Sequence, residues 1–247
     1  MKVIGVIPAR WGSTRFEGKV LAKISGKPMI QHVWERAGQS RRLDELIIAC
    51  DDKRVLEAAQ QFGATAVLTS PDHPSGSDRI AEAVAQRDVD IVINIQGDEP
   101  LIQSSVIDDL ARALLEDPSC VMATAIKVLD KKEELLSPNV VKVVVDKDNN
   151  ALYFSRSVIP YNRDDQTITY YKHLGIYAYR KDFLFTFKEL PKSLLEKAEK
   201  LEQLRVLESG FKIKTVVTDI ETVGVDTPED LACVEWLLKD REQKLKE

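Results

Sequence analysis

Short apolar runs alternating with helix-patterned segments limit what this chain can fold into. Val3 to Ile7, Glu45 to Cys50, Ala64 to Thr69, Asp90 to Ile95 and Val121 to Val128 each read as a strand, and none is long enough to span a membrane. Helical patterns lie between them: one opening near Pro28, one from Lys53 to Phe62 closed by Gly63, one near Asp78 to Gln86, and one near Ser104 to Glu116. That order predicts a doubly wound α/β sheet with parallel strands. With 247 residues, 44% of them hydrophobic, the chain can bury a full core.

The second half follows a different pattern. Val140 to Asp146 and the run ALYFSR flank Asp148-Asn149-Asn150, a hairpin-like turn, and YKHLGIYAYR follows, so antiparallel strands extend the sheet. Lys192 to Ser209 reads as helical and Lys212 to Thr218 as a strand. Thr227-Pro228-Glu229-Asp230 has the cap, proline and acids of a helix start. With no internal repeat or low-complexity linker, residues 1–247 are expected to form a single domain.

Forty acidic and thirty-five basic residues give a net charge of −5. Such a chain has no general basic field for nucleic acid, and an anionic substrate needs a local cluster. Neither a secretory signal nor a membrane-spanning run follows Met1-Lys2, so a cytoplasmic protein without membrane insertion is expected. Cys50, Cys120 and Cys233 are far apart and read as buried free thiols. His32, His73 and His173 lack metal-ligand spacing.

The first strand empties into a loop carrying Arg10, Arg15 and Lys19 among Gly12, Ser13, Thr14 and Gly18. Small residues let a ligand approach the backbone, and three cations can neutralise a polyphosphate. Open α/β sheets bind ligands at this end of their strands. The loop is not a Walker sequence, since Leu21 stands where Gly26-Lys27 would need a glycine, and no G-x-G-x-x-G follows the strand. A nucleotidyl transferase is therefore favoured over a dehydrogenase.

Asp98, in Gln96-Gly97-Asp98-Glu99-Pro100, falls just past the fourth strand on the same rim. A magnesium ion takes one or two carboxylates with phosphate oxygens and water. Asp226, after the last strand, is its candidate companion, although an aspartate there also suits a helix start. In His73-Pro74-Ser75-Gly76-Ser77-Asp78-Arg79, hydroxyls and backbone groups suit a base or ribose, and Ser77 equally suits a helix cap. Asp51 and Asp52 read as helix-start residues. Arg156, His173 and Glu202-Gln203 are polar residues set among apolar ones. Arginine suits a carboxylate, and Glu with Gln suits sugar hydroxyls. Tyr177 reads most simply as core or interface.

Taken in order, IPARWGSTRFEGKVL, HPSGSDR, INIQGDEPLI, ALYFSRSVIPY, HLGIYAYR, LEQLRVLESG and GVDTPEDL resemble the 3-deoxy-manno-octulosonate (Kdo) cytidylyltransferases over nearly the whole chain. The resemblance implies a Rossmann-like nucleotide-diphospho-sugar transferase fold, with a mainly parallel central sheet and an antiparallel extension. It also implies transfer of CMP from CTP to the anomeric hydroxyl of Kdo, with magnesium (Mg2+), for lipopolysaccharide biosynthesis. On this reading Arg10, Lys19, Asp98 and Asp226 are catalytic, and the two aspartates hold the metal. Ala9, Ser13, Arg15, Ser77 and Arg79 contact CTP, with Gln96 near the junction. Arg156, His173, Tyr177, Glu202 and Gln203 line the sugar-acid pocket. Residues 129–211 would contain the sugar-acid-binding and dimerisation region of a homodimer. The alternatives are a cytidylyltransferase for 8-amino-Kdo or a neuraminic acid, or a non-catalytic nucleotide-binding module. Glu17 and Val20 stand where the family commonly has prolines.

Overall fold

The computed structural model describes residues 1–12 and 16–244. The chain divides into two compact units. A terminal unit comprises Lys2–Val89, Asn94–Asp108 and Thr222–Glu247, and a central unit comprises Met1, Asp90–Ile93 and Asp109–Glu221. Residues 129–211 fall wholly within the central unit.

The terminal unit opens with β1 (Val3–Ala9), a 3-10 turn at Lys19–Leu21, a small hairpin of β2 (Lys23–Ile24) and β3 (Lys27–Pro28), and α1 (Met29–Ala37). It continues through β4 (Glu45–Cys50), α2 (Lys53–Gln61), β5 (Ala66–Leu68) and α3 (Gly76–Val84). β1 pairs with β4 and β4 with β5, both parallel, Ile4 lying opposite Glu45 and Ile48 opposite Ala66. Nearly all of β1 is buried, as expected of a parallel strand covered on both faces. Asp52 caps α2 by accepting from Arg54 N at 2.8 Å, and Gly63, at φ 79°, follows the helix end in the left-handed region that glycine tolerates.

In the central unit, β6 (Ile91–Asn94) hands Asn94 to the terminal unit, and α4 (Ser104–Glu116) runs from one unit into the other. Then come β7 (Met122–Val128), α5 (Lys132–Leu136), β8 (Lys142–Val145), β9 (Ala151–Ser155) and β10 (Tyr171–Arg180). The unit ends with α6 (Lys181–Glu189), α7 (Leu194–Glu199), α8 (Gln203–Glu208) and β11 (Ile213–Val217). β7 lies between a parallel β11 and an antiparallel β10, and β8 pairs antiparallel with β10 and β9. Asn149, at φ 58°, makes the β8–β9 turn while Asp146 Oδ1 accepts from Asp148 N and Asn150 N at 2.9 and 2.7 Å.

The last helix, α9 (Pro228–Lys244), starts as its sequence predicts. Asp226 N and Thr227 N donate to Asp230 Oδ2 at 3.0 and 2.9 Å, and Asp230 N donates back to Thr227 Oγ1 at 3.2 Å. Ile24, Met29, Leu101, Val225, Val234 and Leu238 form a cluster that anchors this helix in the terminal unit.

Four readings need correction. The helix expected over Lys192 to Ser209 is two short helices, broken where Lys200 takes φ 57°. Across the break, Arg205 and Glu196 approach to 3.1 Å, a charge contact rather than a hydrogen bond because neither Arg205 Nε nor Glu196 Oε2 meets hydrogen-bond geometry. Helices α5 and α6 were not read from the sequence. Ser75, not Ser77, caps α3, accepting from Asp78 N at 3.2 Å. Cys50 and Cys120 are buried, but Cys233 is exposed on the outer side of α9.

Candidate active site

β1 ends in Ala9, fully buried, and the next residue, Arg10, is exposed. The loop beyond is organised around Trp11. Its amide donates to Asp51 Oδ1 at 2.8 Å, its indole Nε1 to Glu17 Oε1 at 2.9 Å, and the Arg54 guanidinium lies 3.7 Å from the ring centroid. Gly18 N closes the loop on Trp11 O at 3.0 Å, with φ 66° at Gly18. A Cβ at Gly18 would stand 2.7 Å from the indole, so both the backbone angle and the space require glycine here. Glu17 therefore serves as an acceptor for the tryptophan. Ser13 and Arg15 lie outside the described residues.

Lys19 follows Gly18 and points at the two candidate metal carboxylates. Its Nζ donates to Asp98 Oδ2 at 2.8 Å, Asp226 Oδ1 at 2.9 Å and Val225 O at 2.8 Å. Burial opposes the charge on Lys19, but the hydrogen bonds and charges of Asp98 and Asp226 outweigh it and raise the pKa. Two backbone features bring these groups together. Val225 N donates to Asp98 O at 2.9 Å, joining GVDTPED to QGDEP. Gly97 lets the second segment pass β1, since a Cβ there would stand 2.8 Å from Pro8 O. Two carboxylates and a carbonyl converging on one cation form an all-oxygen donor set, which fits magnesium. Among the described residues no group of three or more His, Cys, Asp or Glu could hold a metal, so phosphate and water oxygens would complete the shell.

Sequence reading passed over Glu99. Its side chain is buried, Oε2 has no hydrogen-bond partner among the described residues, and burial, aided by the Asp98 charge, pushes its pKa up to about 8. A second acid beside Asp98, followed directly by the apolar residues Pro100, Leu101 and Ile102, was the available signal.

The HPSGSDR segment is tied down at both ends. Ser70 N and His73 Nε2 meet the Glu82 carboxylate, which lowers the pKa of Glu82. Arg79, 3% exposed, donates to Thr69 Oγ1 at 2.6 Å and pairs with Asp51 at 3.0 Å. It thus braces the same Asp51 that holds the Trp11 amide. Ser77 is buried in the first turn of α3. Gln96 is half-buried, its Nε2 lying 3.4 Å from Asn94 Oδ1.

Arg156, His173, Tyr177, Glu202 and Gln203 all belong to the central unit. Arg156 is held on several sides: N donates to Glu199 Oε2 at 3.0 Å, Nε to Glu199 O at 2.8 Å and Nη1 to Pro138 O at 3.0 Å. Its own carbonyl accepts from Lys142 Nζ at 2.5 Å. Nη2 keeps no partner among the described residues. His173 and Tyr177 lie side by side, ring centroids 5.3 Å apart. Burial drives the imidazole pKa down to about 3, and raises that of the Tyr177 hydroxyl with help from Tyr179 and the Glu202 charge. Both residues are half-buried. Glu202 is exposed, whereas Gln203 is 3% exposed and its Nε2 has no hydrogen-bond partner among the described residues. Lys142 and Glu199, which fix Arg156, escaped sequence reading because their partners are largely backbone atoms.

A model of the cytidylyltransferase family matches residues 4–214. The chain belongs to the cytidylyltransferase family. Within that family it is 51% identical to the 3-deoxy-manno-octulosonate cytidylyltransferase of Solibacter usitatus, over 96% of this chain and 95% of the relative. The corresponding protein of Geotalea daltonii is 49% identical over 98% of this chain and 100% of its own length. A solved structure of CMP:2-keto-3-deoxy-manno-octonic acid synthetase complexed with CTP superposes with a TM-score of 0.94. It is 46% identical and covers 98% of this chain and 100% of its own. The 4-diphosphocytidyl-2C-methyl-D-erythritol synthase of Anaerococcus prevotii, with a TM-score of 0.64 and 13% identity over 96% of this chain and 99% of its own, shares the fold. This cytidylyltransferase therefore has the expected α/β nucleotidyltransferase architecture, with a mostly parallel sheet and added antiparallel strands.

Proposed function

We propose that this cytidylyltransferase transfers CMP from CTP to the anomeric hydroxyl of Kdo, releasing pyrophosphate, as a step in lipopolysaccharide biosynthesis. The observation that carries this reading is the meeting of Lys19, Asp98 and Asp226 at one point beside the loop after β1, in a chain about half identical to proteins named for this reaction.

The acceptor oxygen attacks the α-phosphorus, the bond from that phosphorus to the oxygen bridging the β-phosphorus breaks, and the hydroxyl proton passes to solvent. Positioning and charge neutralisation carry most of such a reaction. Arg10, just past β1, and Lys19 neutralise the triphosphate and the departing pyrophosphate. All three ammonium hydrogens of Lys19 are already engaged, so contact with phosphate requires Lys19 to exchange at least one of Asp98, Asp226 and Val225. Magnesium held by Asp98 and Asp226 would supply further neutralisation of the phosphate oxygens and acidify the attacking hydroxyl. Ser13, Arg15, Ala9, Gln96, Ser77 and Arg79, with neighbouring backbone, serve the nucleotide side.

On the acceptor side, Arg156 offers Nη2 to the sugar carboxylate, and Gln203, Glu202, His173 and Tyr177 address hydroxyls. A neuraminic acid or 8-amino-Kdo would be told apart there, and a non-catalytic module would have no use for the paired carboxylates. A homodimer and a cytoplasmic location belong to the same reading, on the strength of the family resemblance. Among the described residues no helix is long and apolar enough to cross a membrane. Pyrophosphate release from CTP, measured across these sugar acids, tests the proposal.

A further inference from the structure

β10 breaks register against β7. Leu174 faces Ala125 and Tyr177 faces Thr124, so Gly175 and Ile176 bulge out of the ladder. Thr124 is fully buried beneath this bulge. Its Oγ1 lies 2.8 Å from Ile176 O, 3.1 Å from Leu174 O and 3.0 Å from His173 Nε2. A carbonyl can only accept, and a threonine hydroxyl has one hydrogen to give. That hydrogen goes to the carbonyls, so the third contact is satisfied only when His173 Nε2 carries a hydrogen and donates it to Oγ1. Were Nε2 bare, three acceptors would crowd around one hydrogen in a buried place. Burial keeps the ring neutral, so its other nitrogen, Nδ1, has no hydrogen. Phe154, edge-on at 5.1 Å, and Tyr177, at 5.3 Å, fix the plane of the ring.

We propose that Thr124 is a positioning residue for acceptor recognition: it locks His173 as the Nε2–H tautomer, so that Nδ1 accepts from a sugar hydroxyl and cannot serve a carboxylate. The inference rests on the placement of His173 on the acceptor side under the proposed function. It assigns the two acceptor chemistries to different residues, hydroxyl to His173 and carboxylate to Arg156. Thr124, inside the apolar strand MATAIKV, carries no sequence signal of such a role.

The chain has three histidines, so proton–nitrogen correlation NMR on protein with labelled histidine resolves the tautomer of each, and His173→Gln assigns the relevant one. The proposal requires the Nε2–H pattern for His173 in the unsubstituted enzyme without ligand. Thr124→Val, which keeps the shape and loses the hydroxyl, should abolish that single tautomer. It should also raise KM for Kdo roughly tenfold, the scale of one misdirected hydrogen bond, with KM for CTP unchanged. Thr124→Ser should restore both spectrum and KM. An Nδ1–H or doubly protonated ring in the unsubstituted enzyme overturns the proposal, and this holds even if Thr124→Val does not fold. So does a Thr124→Val enzyme whose two KM values move together or not at all. If the unsubstituted chain turns over no Kdo, the proposed function fails and takes the acceptor role with it, while the spectrum still decides the tautomer.

Discussion

Lys19 Nζ lies 2.8 Å from Asp98 Oδ2, although 79 residues separate the two in sequence. The ammonium holds one carboxylate of the candidate metal pair and, at 2.9 Å, reaches the other on Asp226. It thereby screens two negative charges that would otherwise repel each other. The same three groups serve the triphosphate and its metal in the proposed reaction, so their substitution should strike the nucleotide side of catalysis first.

Lys19→Ala is expected to lower kcat/KM for CTP by about a hundredfold or more, since a preorganised charge at the leaving group is lost. Calorimetric binding of the sugar acid alone should hardly change. Lost sugar-acid affinity with unchanged CTP kinetics would contradict the assignment.

Asp98→Asn and Asp226→Asn should each reduce turnover on the order of a hundredfold across a magnesium titration. Asp226, with 60% of its side chain exposed, should show little change in melting temperature, so its defect is one of chemistry and not of folding. Near-normal turnover in either variant removes that residue from the mechanism.

Glu99 predicts a pH dependence of stability. Its folded pKa is raised from 4.5 to about 8, so between these values the folded state binds more protons than the unfolded state, and stability falls as pH rises. Glu99→Gln removes this linkage. In chelator, the variant's melting temperature should gain on that of the unsubstituted protein steadily from pH 5 to pH 8. A difference that stays constant across the range would show that Glu99 is not held protonated.

Arg156→Lys keeps the charge but loses the fork that grips Glu199 O and Pro138 O and leaves Nη2 for the acceptor. KM for Kdo should rise roughly tenfold or more while apparent CTP affinity holds. Glu199→Gln, which weakens the carboxylate's bonds to Arg156 N and Ser155 Oγ but leaves the guanidinium and its carbonyl partners intact, should shift the same constant by less. A lower melting temperature with unchanged kinetics in both variants would make Arg156 a structural residue.

The local elements were legible because their signals are local. Glu45–Cys50 and Ser104–Glu116 have the bounds read from apolar run and helical period, and the α9 start follows from Thr227, Pro228 and Asp230. The break at Lys200 was not legible, because a lysine in the left-handed region carries no mark in sequence as a glycine would. The candidate metal pair could be named from two short motifs, but its placement depends on Val225 bonding to Asp98, a contact between distant segments. Arg79 shows the opposite limit. Its motif suggested a ligand role, but nothing in the sequence signalled its bonds to Thr69 and Asp51, an arrangement that needs β4 and α3 already packed. Trp11, Thr124 and Glu199 were silent for the same reason, their partners being supplied by the fold.

The most direct test of the account is product analysis of the purified chain incubated with CTP, magnesium and either Kdo, 8-amino-Kdo, a neuraminic acid or no acceptor. The account predicts pyrophosphate and CMP-Kdo in equal amounts, strongest with Kdo and abolished by chelator. Pyrophosphate release that does not depend on Kdo, or a clear preference for another sugar acid, would contradict it.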